Sequence, residues 1–229
     1  AAQPRRGGPW IGRIPGKNET KGKENMLIKT LVVGHIETNC YVVTDEKTLE
    51  CAVIDPGAES NTIMNYIEEN SLKCRAIFLT HVHFDHVMAL PKLYEQTGAR
   101  VYVCKKDLET VETPLNKGGK LPKDTVYYQD GDEITVSSLV FKVIATPGHT
   151  PGGVSLVCGD AIFSGDTLFA GSCGRTDFPG GDMKQIIASL KKLADLPGDY
   201  AVYPGHEGAT RLSREREYNP YMRMALGMR

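Results

Sequence analysis

Leu79-Thr80-His81-Val82-His83-Phe84-Asp85-His86 places three of the chain's six histidines beside a carboxylate in one short stretch. Its Thr80–His86 part directly follows Ala76-Ile77-Phe78-Leu79, an apolar run that reads as a buried strand. Residues two apart on a helix face different sides of it, so His81 and His83 can address one cation only from an extended or looped segment. The pattern then divides into two ligand sets, with His81 and His83 turned toward one cation and Asp85 and His86 toward a second. The competing reading is a polar loop whose histidines are incidental.

Three further stretches share one local grammar. Val143-Ile144 runs into Thr146-Pro147-Gly148-His149, Ile162-Phe163 into Ser164-Gly165-Asp166, and Val202-Tyr203 into Pro204-Gly205-His206. Each time an apolar strand ends, a glycine frees the backbone to turn, and an imidazole or carboxylate follows. Aligned strands would bring these groups to one edge. The ligand count suits two divalent metal ions: His81, His83 and His149 for the first, Asp85, His86 and His206 for the second, and Asp166 as the bridge. Nitrogen-rich sites with hard carboxylates suit zinc, iron or manganese, with zinc the expected ion. Paired cations of this kind lower the pKa of a shared water from about 15.7 towards about 7, which would provide a bridging hydroxide at neutral pH. Asp85 is further read as orienting that nucleophile. Asp55, in Asp55-Pro56-Gly57, is read either as a hydrogen-bond partner of a ligand histidine or as a simple Asx turn.

Outward from these motifs, 229 residues with 41% hydrophobic and 24% charged side chains suffice for one core rather than two. The expected division is a leader over 1–25 and a single domain over 26–229. Six Lys/Arg against two Glu in 1–25, among Gly and Pro, read as a disordered or vector-derived extension rather than a nucleic-acid arm. Strands are expected at Leu27–Val33, Cys40–Thr44, Cys51–Ile54, Arg100–Cys104, Glu133–Val136, Leu139–Ile144, Val154–Cys158, Ala161–Phe163 and Tyr200–Tyr203. Helices are expected from a Ser60 cap through Asn70, over Val87–Gly98 with a break near Pro91, over Lys105–Val111 and over Met183–Leu193. Strands with helices between and after them fit two sheets with helices packed outside, an α/β class. No apolar run has membrane-spanning length and no signal segment opens the chain, so a cytoplasmic protein without membrane partners is expected. Six cysteines without CxxC spacing read as reduced thiols. Ser155 and Ser164 lack a nucleophile setting, and Cys173 is read as a loop thiol.

Thr80–His86, Thr146-Pro147-Gly148-His149-Thr150, Phe163–Phe169 and Gly174-Arg175-Thr176-Asp177-Phe178-Pro179-Gly180-Gly181 together resemble the metallo-β-lactamase-fold hydrolases. The likeness is strongest to their single-domain, glyoxalase II-like (hydroxyacylglutathione hydrolase-like) group and covers about residues 26–206. It implies an αβ/βα four-layer sandwich with metals at the edge between the sheets, and hydrolysis of S-lactoylglutathione-type thioesters. The implied partner is a small-molecule thioester, glutathione-derived, with no nucleic acid. Arg175 falls where the family often carries a Lys that contacts glutathione; the alternative is an arginine that fixes its own loop through Asp177. The run His206-Glu207-Gly208 departs from the His-Glu-Tyr of two-domain members, and the helical domain of those members has no counterpart in residues 207–229. The thioester is therefore expected more firmly than its thiol. Asp166 sets the chain apart from lactamases of the fold. Alternatives are a mononuclear-iron persulfide dioxygenase, suggested by the Gly-Arg-Thr-Asp-Phe run and using His81, His149 and Asp166, a lactonase of the same fold, and a non-catalytic metal-stabilised module. Oligomeric state is left open.

Overall fold

The protein is described by a computed structural model over residues 26–115 and 121–228. The expected leader over 1–25 and residues 116–120, within a stretch from Glu112 to Asp124 whose Pro and Gly lead to the expectation of a loop, lie outside the described residues. The first sheet takes β1 Met26–Val33, β2 Thr38–Asp45, β3 Glu50–Ile54, β4 Lys73–Phe78, β5 Arg100–Val103 and β6 Val126–Tyr127, in that spatial order. Helices α1 Ser60–Glu69, α2 Phe84–Val87 and α3 Leu90–Thr97 join β3 to β4 and β4 to β5, and α4 Lys105–Thr110 follows β5. The second sheet begins with β7 Glu133–Val136, β8 Leu139–Ala145, β9 Val154–Cys158 and β10 Ala161–Gly165. A small hairpin, β11 Leu168–Phe169 and β12 Ser172–Cys173, and α5 Met183–Ala194 then lead to β13 Ala201–Pro204 and β14 Thr210–Arg211. The order across this sheet is β14-β13-β10-β9-β8-β7, and α6 Leu212–Tyr218 and α7 Pro220–Ala225 close the described chain.

Period-two patterning explains why both sheets are covered on both faces. In β2 and β3, Tyr41, Val43, Ala52 and Ile54 point one way and meet Phe141, Val143, Leu156 and Phe163 of the second sheet. Their neighbours Cys40, Val42, Cys51 and Val53 point the other way, onto Ile63, Met64 and Ile67 of α1 and Leu90 and Leu93 of α3. On the far side, Ile144, Ile162 and Val202 pack against Leu190 and Leu193 of α5, Leu212 of α6 and Met222 of α7. The result is helix, sheet, sheet, helix: the four-layer αβ/βα sandwich. Each parallel pair, β3–β4, β4–β5, β5–β6 and β10–β13, is joined by a connection that contains a helix, as parallel pairing usually requires.

Local signals were mostly legible, with instructive exceptions. The helix expected over Val87–Gly98 is two helices, because α2 starts inside the histidine motif with His86 N–H donating to the His83 carbonyl at 3.0 Å. Pro91 sits in the first turn of α3, where it costs no hydrogen bond, and Gly98 ends the helix at φ 62°. Ser60 does not cap α1. Glu59 holds that position in the left-handed region, with no side-chain cap, and its Oε1 accepts from the Gly34 N–H at 3.1 Å. The central layer invites a direct test: Phe141 is fully buried with its ring 4.9 Å from that of Phe78. Phe141→Ala is expected to cost about 3–5 kcal/mol in denaturant unfolding, and a loss under about 1 kcal/mol would contradict the sheet-on-sheet packing.

Candidate metal centre

Strand direction explains why distant motifs meet. Because β3 and β4 are parallel, Asp55 and the Thr80–His86 loop leave the first sheet at the same edge. In the second sheet β8 is antiparallel to β9, β9 to β10, and β10 is parallel to β13. His149, Asp166 and His206 therefore all emerge at the C-terminal ends of strands running one way, the usual place for ligands in α/β sheets. The two edges are stitched directly. Asn39 N–H donates to the Gly205 carbonyl at 2.7 Å. The Asn39 amide donates to the Pro204 and Glu207 carbonyls at 3.0 and 2.9 Å, and the Tyr41 hydroxyl reaches the Pro204 carbonyl at 2.6 Å.

All seven expected ligand residues come together. His83 Nδ1 lies 2.9 Å from His149 Nε2, and one ligand atom each from His81, His83 and His149 falls within 4.8 Å of the others. The same holds for Asp85, His86 and His206, with Asp85 Oδ2 at 3.2 Å from His86 Nε2 and 3.1 Å from His206 Nε2. Asp166 stands between the sets. Its Oδ2 is 3.4 Å from His149 Nε2, 4.0 Å from His81 Nε2 and 3.6 Å from His206 Nε2, while Oδ1 is 3.5 Å from His86 Nε2. The Asp166 separations exceed an ordinary hydrogen bond and suit atoms that share a cation.

The imidazoles are aimed by their other nitrogens. His86 Nδ1 is 3.0 Å from Asp55 Oδ2, His149 Nδ1 donates to the Arg175 carbonyl at 2.7 Å, and His206 Nδ1 to the Ile36 carbonyl at 3.2 Å. Each such bond fixes the tautomer and leaves Nε2 as the lone-pair donor. Asp55, at φ 51°, also accepts from Thr80 N–H and Oγ1 at 2.7 and 2.6 Å. It is the hydrogen-bonded reading of this residue that the geometry favours over the simple Asx turn. Thr38 Oγ1 donates to Asp85 Oδ2 at 3.1 Å. Burial, then the neighbouring imidazoles, hold His81 well below the usual range and His83 down to about 4. Both are thus neutral at pH 7, the form a cation needs.

The donor set fits divalent cations. His81 Nε2, His86 Nε2 and Asp166 Oδ1 are buried without a hydrogen-bond partner among the described residues, and such orphaned groups are costly unless something satisfies them. Glycine makes the room: a Cβ on Gly205 would overlap Asp166 Oδ1 and lie 2.8 Å from His86 Cε1. Sequence reading assigned Gly205 a turning role, yet its φ is not in the left-handed region, and clearance is what the position demands. Arg175 forms a two-pronged pair with Asp177, 2.7 Å from Nε and 2.6 Å from Nη2, and lies 4.0 Å from the Phe178 ring centre. Its carbonyl, rather than its guanidinium, is what touches a candidate ligand. Burial pushes the Cys173 thiol up to about 11, so it is no thiolate at neutral pH. Sequence reading gave no role to Thr38, Asn39 and the buried Asp107, whose residue types carry no motif of their own, and none to Thr80 beyond its place in the histidine motif.

A sequence model described as the metallo-beta-lactamase superfamily matches residues 33–206. The hydroxyacylglutathione hydrolase GloC of Haemophilus influenzae is 32% identical, covering 86% of this chain and 98% of its own. Among solved structures, the BLEG-1 B3 metallo-beta-lactamase is 33% identical with a TM-score of 0.77, over 86% of this chain and 99% of its own. ETHE1 from Myxococcus xanthus is 34% identical with a TM-score of 0.74, over 85% and 84%. TTHA1623, solved in a di-iron-bound form, is 35% identical with a TM-score of 0.74, over 84% and 99%.

The clearance at Gly205 yields a paired test. Gly205→Ala should lower the divalent-cation content retained after dialysis, measured by elemental analysis, whereas Gly208→Ala, where an added Cβ meets nothing within 4 Å, should retain it. Equal retention by both would count against cations at this site.

Proposed function

The chain belongs to the metallo-beta-lactamase superfamily, and from that premise we propose that it is a binuclear metal-dependent hydrolase cleaving thioesters of the S-lactoylglutathione type. One observation carries the reading: nitrogen and oxygen donors from His81, His83, Asp85, His86, His149 and His206 cluster at the sheet edges with Asp166 3.4–4.0 Å from four of the histidines, and three of the seven have orphaned atoms. His81, His83 and His149 would hold one divalent cation and Asp85, His86 and His206 the other, with Asp166 shared. When bound, such a pair supplies Lewis acidity, which acidifies water and stabilises negative charge developing on a carbonyl oxygen. Zinc is the proposed ion on donor chemistry, although the di-iron form of TTHA1623 supports iron equally.

The chain's own groups do the rest. Asp85, steadied by Thr38, orients the attacking water, and Asp55 keeps the His86 ring turned toward the centre. Asp166 keeps the two imidazole sets at a fixed separation. Water adds to the thioester carbonyl carbon, the C–S bond breaks, and acid and thiol leave. The likeness to GloC over nearly its full length supports a glutathione-derived thiol. Arg175 would contact a substrate carboxylate only by giving up its pair with Asp177. The boundary at residue 26 belongs to the same reading: the catalytic domain begins at β1.

A second reading is a mononuclear-iron dioxygenase acting on a persulfide. The likeness to ETHE1 favours it, together with Asp166 Oδ2 lying 3.4 and 4.0 Å from His149 and His81. The likeness to the B3 enzyme bears against setting β-lactams aside on Asp166 alone. A panel of S-lactoylglutathione, a thioester without glutathione, a lactone, a β-lactam and glutathione persulfide, run on protein of known metal content, separates these readings. Thioester turnover with two cations per chain is expected. One iron per chain with oxygen uptake on the persulfide would replace the proposal, and no turnover of any substrate would leave a metal-stabilised module. Asp166→Ala should lower thioester hydrolysis more than about 100-fold, beyond the loss for groups that merely support a ligand, while the circular dichroism stays native. Unchanged turnover would end the two-cation mechanism.

A further inference from the structure

Asp107 is a carboxylate in the first turn of α4 with no exposed surface. A buried carboxylate needs hydrogen-bond donors to offset the loss of water, and the donors here come from two particular loops. Its Oδ2 accepts from Val82 N–H at 3.2 Å and from Thr150 Oγ1 at 2.9 Å, and its Oδ1 from Gly152 N–H. Val82 lies between His81 and His83, and Thr150 directly follows His149. Even the nearby glycine is shaped by this contact: a Cβ on Gly152 would stand 2.7 Å from Asp107 Oδ1 and 2.9 Å from Cys104 Sγ.

The carboxylate therefore ties together the backbones that carry His81, His83 and His149, which come from opposite sheets. Asp85, His86 and His206 are held by other groups: the Thr38 hydroxyl, the Asp55 carboxylate and the Ile36 carbonyl. Asp55 also reaches His81 through the Thr80 hydroxyl, but the Asp107 carboxylate bonds, among the described residues, only to the backbone and side chains beside His81, His83 and His149. Resting on the metal-centre reading above, we propose that Asp107 is a positioning residue for the His81, His83 and His149 site alone. It locks the histidine loop to the Thr146–Gly153 loop, so that His83 and His149 hold the 2.9 Å approach of their facing nitrogens before a cation arrives. Without that lock each loop would have to be ordered by the ion, and binding would weaken accordingly.

The test is a cobalt(II) titration of the full chain, with the two dissociation constants measured by chelator competition and the affected ion assigned by His83→Ala. Asp107→Asn keeps the shape and one acceptor, and Thr150→Val removes one donor without changing side-chain volume greatly, so a folding failure in either leaves the other to decide. Each should weaken the His83-dependent ion about 10- to 100-fold, the range for groups that support a metal ligand, and leave the other ion within about twofold. If the wild-type chain binds two ions and the variants leave the His83-dependent one unchanged, or weaken both ions equally, this inference fails while the metal centre stands. If the wild-type chain takes up no cobalt, both fail together.

Discussion

A carboxylate buried at the end of β3 is the constraint around which the site is arranged. Asp55 is 2% exposed, and its oxygens take hydrogen bonds from the Thr80 amide, the Thr80 hydroxyl and the His86 ring. Hydrogen bonds to a charged acceptor contribute about 1.5–3 kcal/mol each, so three of them can hold the left-handed backbone at Asp55 against its strain. Through Thr80 the same group fixes where the histidine loop leaves β4. Together with Asp107 at Val82, these bonds hold the loop in the turn that brings its imidazoles inward. The Thr80 hydroxyl also lies 3.1 Å from His81 Nδ1, which extends the same network to the first of the ligand rings.

Above that constraint, topology does the gathering. Parallel neighbours release their C-terminal ends on one side, and a polar seam of Asn39 and Tyr41 against Pro204 and Glu207 brings the corresponding side of the second sheet into register. Apolar packing between the sheets is indifferent to small sliding. Directed hydrogen bonds are not, and they sit where sub-ångström placement matters to a cation. The outer helical layers pack mainly through apolar residues, with α2 and α4 the two helices that reach into the site, through the histidine motif and through Asp107.

Much of this was legible in the chain itself. The histidine stretch and the three Gly-linked groups pointed to the candidate site because metal chemistry demands particular residue types at strand ends, and alternating apolar residues pointed to the sheets. What the sequence hid falls into two physical kinds. Short elements such as the Leu168–Cys173 hairpin and the helices after Thr210 have too little periodic signal to stand out, and tertiary contacts hold them. Supporting groups such as Thr38, Asn39 and Asp107 are common polar residues whose importance comes from what lies opposite them in space, and spacing along the chain cannot report that. Gly205 shows the same limit: the residue type was noticed, but whether it served torsion or clearance depended on atoms from two other strands.

The division of donors between sheets has a consequence for how the protein matures. Each of the two proposed cation sets draws two groups from the histidine loop of the first sheet and its third, His149 or His206, from the second, whereas Asp55, His81 and His86 cluster within the first sheet alone. A nascent chain with only its amino-terminal half folded would offer a divalent ion an incomplete claw. On the proposed ligand sets, full coordination would await closure of the sandwich, so a bound ion would rivet a finished frame rather than seed its folding.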